Sequence, residues 1–310
     1  MEVTSVPLMA RGQHIPSPEV SPPSTNDGLA ARALPGGEES LLKLKKTERE
    51  WHDAFYKSHA LEPYPEKVEQ FLEIFERLEL TPFCDGGWSW WADLRKEILG
   101  AAGDVRGLRV LDYGCGYGRL GMYLALSGAQ VWGFDLSCEA MKTANEAASR
   151  YGLPVGFEQM DAEELGYGED FFDLAMGFGV LHHVVKYPRA GSELLRVLRP
   201  GARAIFHETL WDNPFINLAR RFTTQDTQAG DTPLTDQNIR EFCKEFSHIQ
   251  LEKRHLLYML KRLAALPELR LGTALRPRPF WRRVKSLDSK ILRFSPLRRY
   301  CGEVIIFLQK

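Results

Sequence analysis

Residues 110–118 read Val-Leu-Asp-Tyr-Gly-Cys-Gly-Tyr-Gly, an apolar run that ends in a carboxylate and then places three glycines at alternate positions. The run from Leu108 to Leu111 predicts a buried parallel strand with Asp112 at its carboxyl end. Gly114, Gly116 and Gly118 let the backbone turn tightly and approach a ligand closely before a helix opens near Arg119. Seventeen residues beyond Gly118, a second apolar run, Val131 to Phe134, ends in Asp135. An acid at the tip of the second strand is placed to accept hydrogen bonds from ribose hydroxyls. Together these residues describe a nucleoside-binding strand–helix–strand unit. The frame Gly116-x-Gly118-x-x-Gly121 also fits a dinucleotide fingerprint, so the choice of nucleoside rests on Asp112. A carboxylate there would repel a pyrophosphate held at the helix N-terminus. It suits a ligand that carries an ammonium and a sulfonium.

On these residues the chain resembles the class I S-adenosylmethionine-dependent methyltransferases, whose first motif is an acidic strand end followed by Gly-x-Gly-x-Gly. The resemblance implies that Asp112 and the Gly114–Gly118 loop line the methionine part of S-adenosylmethionine, and that Asp135, with Leu136 beside it, holds the ribose. Phe157 to Ala162 predicts a third strand ending in an acid, Asp161, 26 residues after Asp135. In the family this acid or its neighbour, here Ala162, meets the exocyclic amine of adenine. Phe171 to Gly177 reads as strand four, followed by Phe178-Gly179-Val180-Leu181-His182-His183. The Phe-Asp start and Leu-His-His end resemble small-molecule methyltransferases, and Phe178 is implied as a further cofactor contact. Leu195 to Gly201 closes a helix and feeds strand five, Ala202 to Glu208, with proline and glycine stopping the helix. The resemblance is dense from Val110 to Glu208 and thin outside it.

In such an enzyme the cofactor brings the activated methyl, and the protein holds a small-molecule acceptor in line behind it. A hydroxyl or ammonium acceptor needs a base, and histidine suits neutral pH. His182 and His183 follow strand four at the carboxyl edge where open α/β sheets bind ligands, which makes them the expected catalytic residues. Glu208, Asp212 and Asn213 are the next polar groups. No aspartate pattern specifies Mg²⁺ and the cysteine spacing does not specify zinc, so no metal is expected. Two other classes share parts of this pattern: a nicotinamide-dependent oxidoreductase, and an S-adenosylmethionine-binding interaction protein without catalysis. Asp112 and the Leu-His-His segment argue against the first, the retained polar groups against the second.

The elements that must position these residues alternate strand and helix. The expected fold is α/β, a doubly wound, Rossmann-like sheet of seven strands of the class I methyltransferase type. A helical lid is expected before it and a helical insertion before its last strand. Residues 1–42 hold six prolines and no apolar periodicity, and read as a disordered tail. Residues 43–100 read as the lid. Its first helix is expected to open at Thr47, where Thr47-Glu48-Arg49-Glu50 has capping-box spacing, and a second follows Pro65 with Val68, Phe71, Leu72, Phe75 and Leu78 at helical spacing. Trp51, Phe55, Tyr56 and the cluster Trp88, Trp90, Trp91 are expected to pack on the sheet or to line the acceptor pocket. Residues 101–310 form the catalytic domain, with cap insertions at about 211–235 and 258–300. The last strand, Gly302 to Leu308, is expected antiparallel at the sheet edge beside strand six.

The 310 residues carry a net charge of −1 and 44% hydrophobic content, enough for a sizeable core and no advertisement for nucleic acid. The second insertion differs: Tyr258 to Tyr300 holds 12 Lys or Arg against Glu268 and Asp288. It reads as a solvated face, as the lid for an anionic or lipid-linked acceptor, or as a peripheral membrane contact. Five cysteines without metal spacing, no secretory signal and no run of about 20 apolar residues give a cytoplasmic expectation. Oligomeric state is not legible.

Overall fold

A computed structural model describes residues 37–58, 64–77, 97–220, 232–260, 278–293 and 295–310. Five strands run parallel: β1 (Arg109–Tyr113), β2 (Gln130–Asp135), β3 (Val155–Gln159), β4 (Phe172–Phe178) and β5 (Leu198–Thr209). β6 (His248–Arg254) and β7 (Glu303–Gln309) complete a seven-stranded sheet of order β3-β2-β1-β4-β5-β7-β6, in which β7 is antiparallel to both its neighbours. The expected seven-stranded α/β sheet is therefore present, with one correction. β7 lies inside the sheet and β6 forms the edge. The unbroken run Val304 to Ile306, buried on both faces, is the pattern of an interior strand, whereas β6 mixes charges into every turn of its pleat.

Alternation along the strands feeds two cores. Val110, Leu174, Met176, Ile205 and Ile305 meet Leu120 and Leu124 of α4 (Arg119–Leu126) and Ile98 of α3, a helical turn over 97–102. Leu111, Tyr113, Ala175, Phe206 and Ile306 meet the opposite layer, α6 (Leu181–Val184), α7 (Ala190–Val197) and α9 (Asp236–Phe242). α5 (Cys138–Arg150) starts at Ser137, whose hydroxyl accepts from the Ala140 N–H, and buries Met141, Ala144 and Ala148 as its spacing predicts. Strand order reverses between β1 and β4, so the loops after these two strands share the crevice at the carboxyl edge where ligands bind in such sheets.

α1 (Gly37–Ser58) crosses that edge. It opens ten residues before Thr47, so the capping-box spacing misled: Thr47 is inside the helix and its hydroxyl donates to the Lys43 carbonyl at 3.0 Å. Residues 37–42, expected in the tail, are helical, and Leu41 packs on the core. Polar contacts tie α1 down. Lys45 Nζ reaches Asp161 at 2.6 Å and Glu163 at 2.5 Å, and buried Glu48 pairs with Lys186 and the Tyr187 hydroxyl. Asp53 Oδ1 accepts from the Ser137 hydroxyl at 2.6 Å and the Glu139 N–H at 3.3 Å, a carboxylate at the N-terminus of α5. α2 (Val68–Arg77) follows Pro65 as expected, with Phe71 buried against Tyr64 and Tyr151. Residues 1–36, Leu78, the tryptophans 88, 90 and 91, and 261–277 lie outside the described residues.

The second insertion is pinned by buried polar side chains. Asn213 Oδ1 accepts from the Phe215 and Ile216 N–H groups that open α8 (Pro214–Arg220), while its amide donates to the Leu256 and Tyr300 carbonyls. Asp288, on α10 (Arg278–Ile291), accepts from the Leu257 and Tyr258 N–H groups of a short 3₁₀ turn, Leu257–Met259.

Glu48 and Lys186 are both largely removed from water, so truncating Glu48 removes a buried ion pair and the bond from the Tyr187 hydroxyl. Glu48→Ala is expected to loosen α1 by about 3 kcal/mol. Hydrogen exchange should quicken across Gly37–Ser58 and stay slow in β1 and β4; equal loss of protection in the strands would make α1 part of the core instead of a strap over it.

Candidate functional site

The loop after β1 is left-handed at each alternate residue: φ is +64° at Gly114, +51° at Gly116 and +74° at Gly118. A side chain there is strained by the backbone alone. It would also collide, since a Cβ on Gly114 would lie 2.2 Å from Val180 Cγ2 and one on Gly116 2.9 Å from the Tyr56 hydroxyl. The loop is therefore pressed between the segment after β4 and the α1 strap.

Two carboxylates serve this loop. Asp112 is 2% exposed, and its Oδ2 accepts from the Gly121 N–H at 2.8 Å. Gly118 caps α4 without a side chain of its own, so Asp112 reaches from the strand to satisfy a donor in the first turn of the helix. Burial lifts the Asp112 carboxyl to about 7, opposed by the Gly121 bond and helped by the nearby charge of Asp135. Asp135 Oδ2 accepts from Gly116 N–H and its Oδ1 from Ser137 N–H, each at 3.0 Å. Burial raises its pKa too, against those backbone bonds and the charge of His52. Each Asp135 oxygen retains accepting capacity for a hydroxyl. Asp161, beyond the end of β3 instead of on it, is committed differently: Lys45 holds Oδ2 and the Glu163 N–H donates to Oδ1 at 2.9 Å. Ala162 beside it is buried. Leu136 is half-buried, and its carbonyl accepts from Gln159 Nε2 at 3.0 Å.

After β4 the chain turns at Gly179 and starts α6. Glu208, wholly buried on β5, accepts from the Val180 N–H at 2.7 Å and the Leu181 N–H at 2.6 Å, and its Oε2 lies 2.9 Å from His182 Nδ1. A carboxylate at Nδ1 makes that nitrogen the donor and Nε2 the basic nitrogen of the neutral ring. His183 packs 4.1 Å from the His182 ring and 4.8 Å from His52 of α1. Burial holds its pKa well below 6.5, with His182, His52 and Lys186 adding to the effect, so its imidazole is neutral. Phe178 packs on the core that holds Val110 and Met176, and its ring lies 6.5 Å from that of His207. His207 adjoins a buried cluster in which Glu303 Oε2 lies 3.7 Å from His207 Nε2 and 2.8 Å from His255 Nδ1. Burial there acts to raise the Glu303 pKa, but the two histidines outweigh it and hold it below the usual range.

The site also holds residues that the linear reading passed over: Lys45, Glu48, His52 and Asp53, together with Tyr56, read there only as an aromatic. Lys45, Glu48, His52 and Tyr56 recur at helical spacing and form one polar face of α1. A search for apolar periodicity does not register such a face. Among the described residues no group of three or more His, Cys, Asp or Glu is arranged to hold a metal ion.

Residues 111–206 match the family model described as a methyltransferase domain. Over these residues the chain is similar to the S-adenosylmethionine-dependent methyltransferases. The matched residues run from β1 to β5 and so take in the glycine loop, Asp135, Asp161 and both histidines. The ubiquinone biosynthesis O-methyltransferase of Paraburkholderia phymatum is 31% identical over 141 residues, 41% of this chain and 61% of that protein. The malonyl-[acyl-carrier protein] O-methyltransferase of Pectobacterium atrosepticum is 31% identical over 167 residues, 53% of this chain and 63% of that one. A second ubiquinone biosynthesis O-methyltransferase, from Rhizobium etli, is 36% identical over 97 residues, 39% of its length. The chain thus spans less than two thirds of each relative. In fold it is similar to the Haemonchus contortus phosphoethanolamine N-methyltransferase 2 in complex with S-adenosyl-L-methionine, at TM-score 0.53 and 17% identity over 85% of this chain and 60% of that one.

The raised Asp112 pKa has a consequence for stability. A carboxyl whose folded pKa exceeds its unfolded value of about 4 favours the fold when protonated, and that contribution is lost as pH rises through about 7. Asp112→Asn should therefore melt higher than the parent at pH 8 in the absence of ligand. The gap should narrow as pH falls toward 5; a gap independent of pH would show that Asp112 does not titrate in this range.

Proposed function

We propose that the chain transfers a methyl group from S-adenosylmethionine to a hydroxyl of a small, anionic or lipid-like acceptor. The observation that carries this reading is the hydrogen-bonded pair Glu208–His182 at the end of β4, beside the glycine loop at the end of β1. The names of the curated relatives, O-methyltransferases acting in ubiquinone biosynthesis and on malonyl-[acyl-carrier protein], support an oxygen acceptor.

The site residues fit the cofactor. The glycine loop offers a surface without side chains, Asp135 offers accepting oxygens for ribose hydroxyls, and buried Asp112 gains a counter-charge from a cationic ligand. When bound, S-adenosylmethionine supplies a methyl group activated by the positive sulfur. The chain's own residues do the rest. Glu208 fixes the His182 ring with Nδ1 protonated, so that Nε2 accepts the acceptor's proton as the oxygen becomes nucleophilic. Neutral His183 adds no competing positive charge beside it. α1 serves as the lid: Tyr56 lies over Gly116, His52 meets His183, and the strap excludes water from the crevice between β1 and β4.

Two measurements test this. Asp135→Ala should weaken S-adenosylmethionine binding by about ten- to a hundredfold in calorimetry, the cost of losing hydrogen bonds to a charged group. His182→Ala should lower kcat on a hydroxyl acceptor by about 10²–10⁴ while leaving cofactor affinity within about threefold. Full turnover in the His182 variant would remove it from catalysis, and unchanged cofactor binding in the Asp135 variant would overturn the site.

A further inference from the structure

Exposed large apolar side chains are few among the described residues, and most of them gather around one feature. Phe280 and Leu287 of α10 are 44% and 48% exposed, and Leu218 of α8 is 43% exposed; the remaining one, Leu42, is on α1. α8 and α10 both pack on the 3₁₀ turn Leu257–Met259. Single exposed leucines need no explanation. The arrangement on α10 does.

α10 buries Trp281 and Asp288, seven residues apart on one side of the helix. Trp281 meets Tyr258 at 6.0 Å, Tyr258 meets His255 at 4.9 Å, and Asp288 holds two backbone N–H groups. That side is fixed to the domain. The other side carries Phe280, Arg283, Leu287 and Lys290, spaced three, four and three residues apart, all exposed. Val284 and Ile291, half-buried, extend the apolar stripe along its flank. Among the described residues neither Arg283 nor Lys290 is in an ion pair. Residues 278–300 contain eight Lys or Arg and one acid, and that acid, Asp288, is buried and occupied as a cap. Downstream, Arg293, Arg298 and Arg299 are exposed as well. The whole chain is at −1, so this cationic face stands on an otherwise acidic molecule.

We propose that the outward face of α10 docks on an anionic lipid bilayer. Phe280 and Leu287 enter the boundary between headgroups and acyl chains, while Arg283 and Lys290 lie beside them at the phosphate level. Charge complementarity favours a lipid surface over a protein groove, because the cations sit along an apolar stripe on a convex helix. The apolar pair favours it over nucleic acid, which would use the cations and leave Phe280 and Leu287 in water. The helix stands at the carboxyl edge of β6, on the side of the sheet away from Asp135, so docking would bring membrane lipid toward the acceptor half of the crevice. The docking itself does not rest on the methyl-transfer reading, since vesicle binding needs neither cofactor nor acceptor.

The test is co-sedimentation of the full chain with vesicles of phosphatidylglycerol and phosphatidylcholine, against vesicles of phosphatidylcholine alone. The expected result is binding to the anionic vesicles only. Phe280→Ala with Leu287→Ala should weaken it at least tenfold, and Arg283→Gln with Lys290→Gln about thirtyfold. All four positions are exposed, so the melting temperature of both variants should equal the parent's. No sedimentation of the parent would overturn the proposal. So would binding that responds to the charge variant but not to the apolar one, the result expected of a soluble polyanion site; a single-stranded oligonucleotide would then compete the protein off the vesicles.

Discussion

An aspartate almost wholly removed from water, at the end of a central strand, is an expensive thing for a fold to keep. Asp112 has one backbone N–H for a partner and a second carboxylate, Asp135, close by. Much of the surrounding structure follows from keeping these two groups there. The helix after β1 begins without a capping side chain because Asp112 reaches across to its first turn. The loop between them is glycine at each left-handed position because its backbone has to pass between Val180 and Tyr56. Asp135 joins the loop to the start of α5 by accepting one bond from each. The arrangement stores an unmet demand for positive charge where the strand order reverses, and a cationic nucleoside answers it.

The acceptor side is built by a different device. Glu208 makes three hydrogen bonds with two oxygens: it caps the first turn after β4 through two N–H groups and orients His182 through the other oxygen. The orientation of His182 thus depends on the register of β5 with β4. Above it, α1 is fixed through charges that are themselves half-buried or buried, Lys45 on Asp161 and Glu163, and Glu48 on Lys186. Leu41 and Leu44 of the same helix pack on the core beside these ion pairs.

How much of this was legible in the linear chain depends on the kind of signal. β1, β2, β4 and α5 were readable because their apolar runs end in residues with a single backbone meaning: a carboxylate, a glycine, a capping serine. The start of α1 was misread because Thr47 and Glu50 have capping spacing, yet nothing in a linear reading shows that good helix formers from Leu41 to Lys46 continue the helix backward past them. The place of β7 was missed because neighbour relations between antiparallel strands are set by burial on both faces, not by order along the chain. The pairing of Glu208 with His182, and of His52 with His183, joins residues 26 and 131 positions apart, and only the parallel alignment of β4 with β5 and the path of α1 bring them together.

The central claim is that buried carboxylates at the carboxyl edge await a cationic nucleoside, and proton linkage tests it most directly. Burial raises the Asp112 carboxyl to about 7 in the free protein. Binding of S-adenosylmethionine, measured by calorimetry in buffers of different ionisation enthalpy, should release protons near pH 7, and the release should shrink in Asp112→Asn. Binding without proton release in the parent protein, or tight binding of a nicotinamide dinucleotide in place of S-adenosylmethionine, would contradict the account.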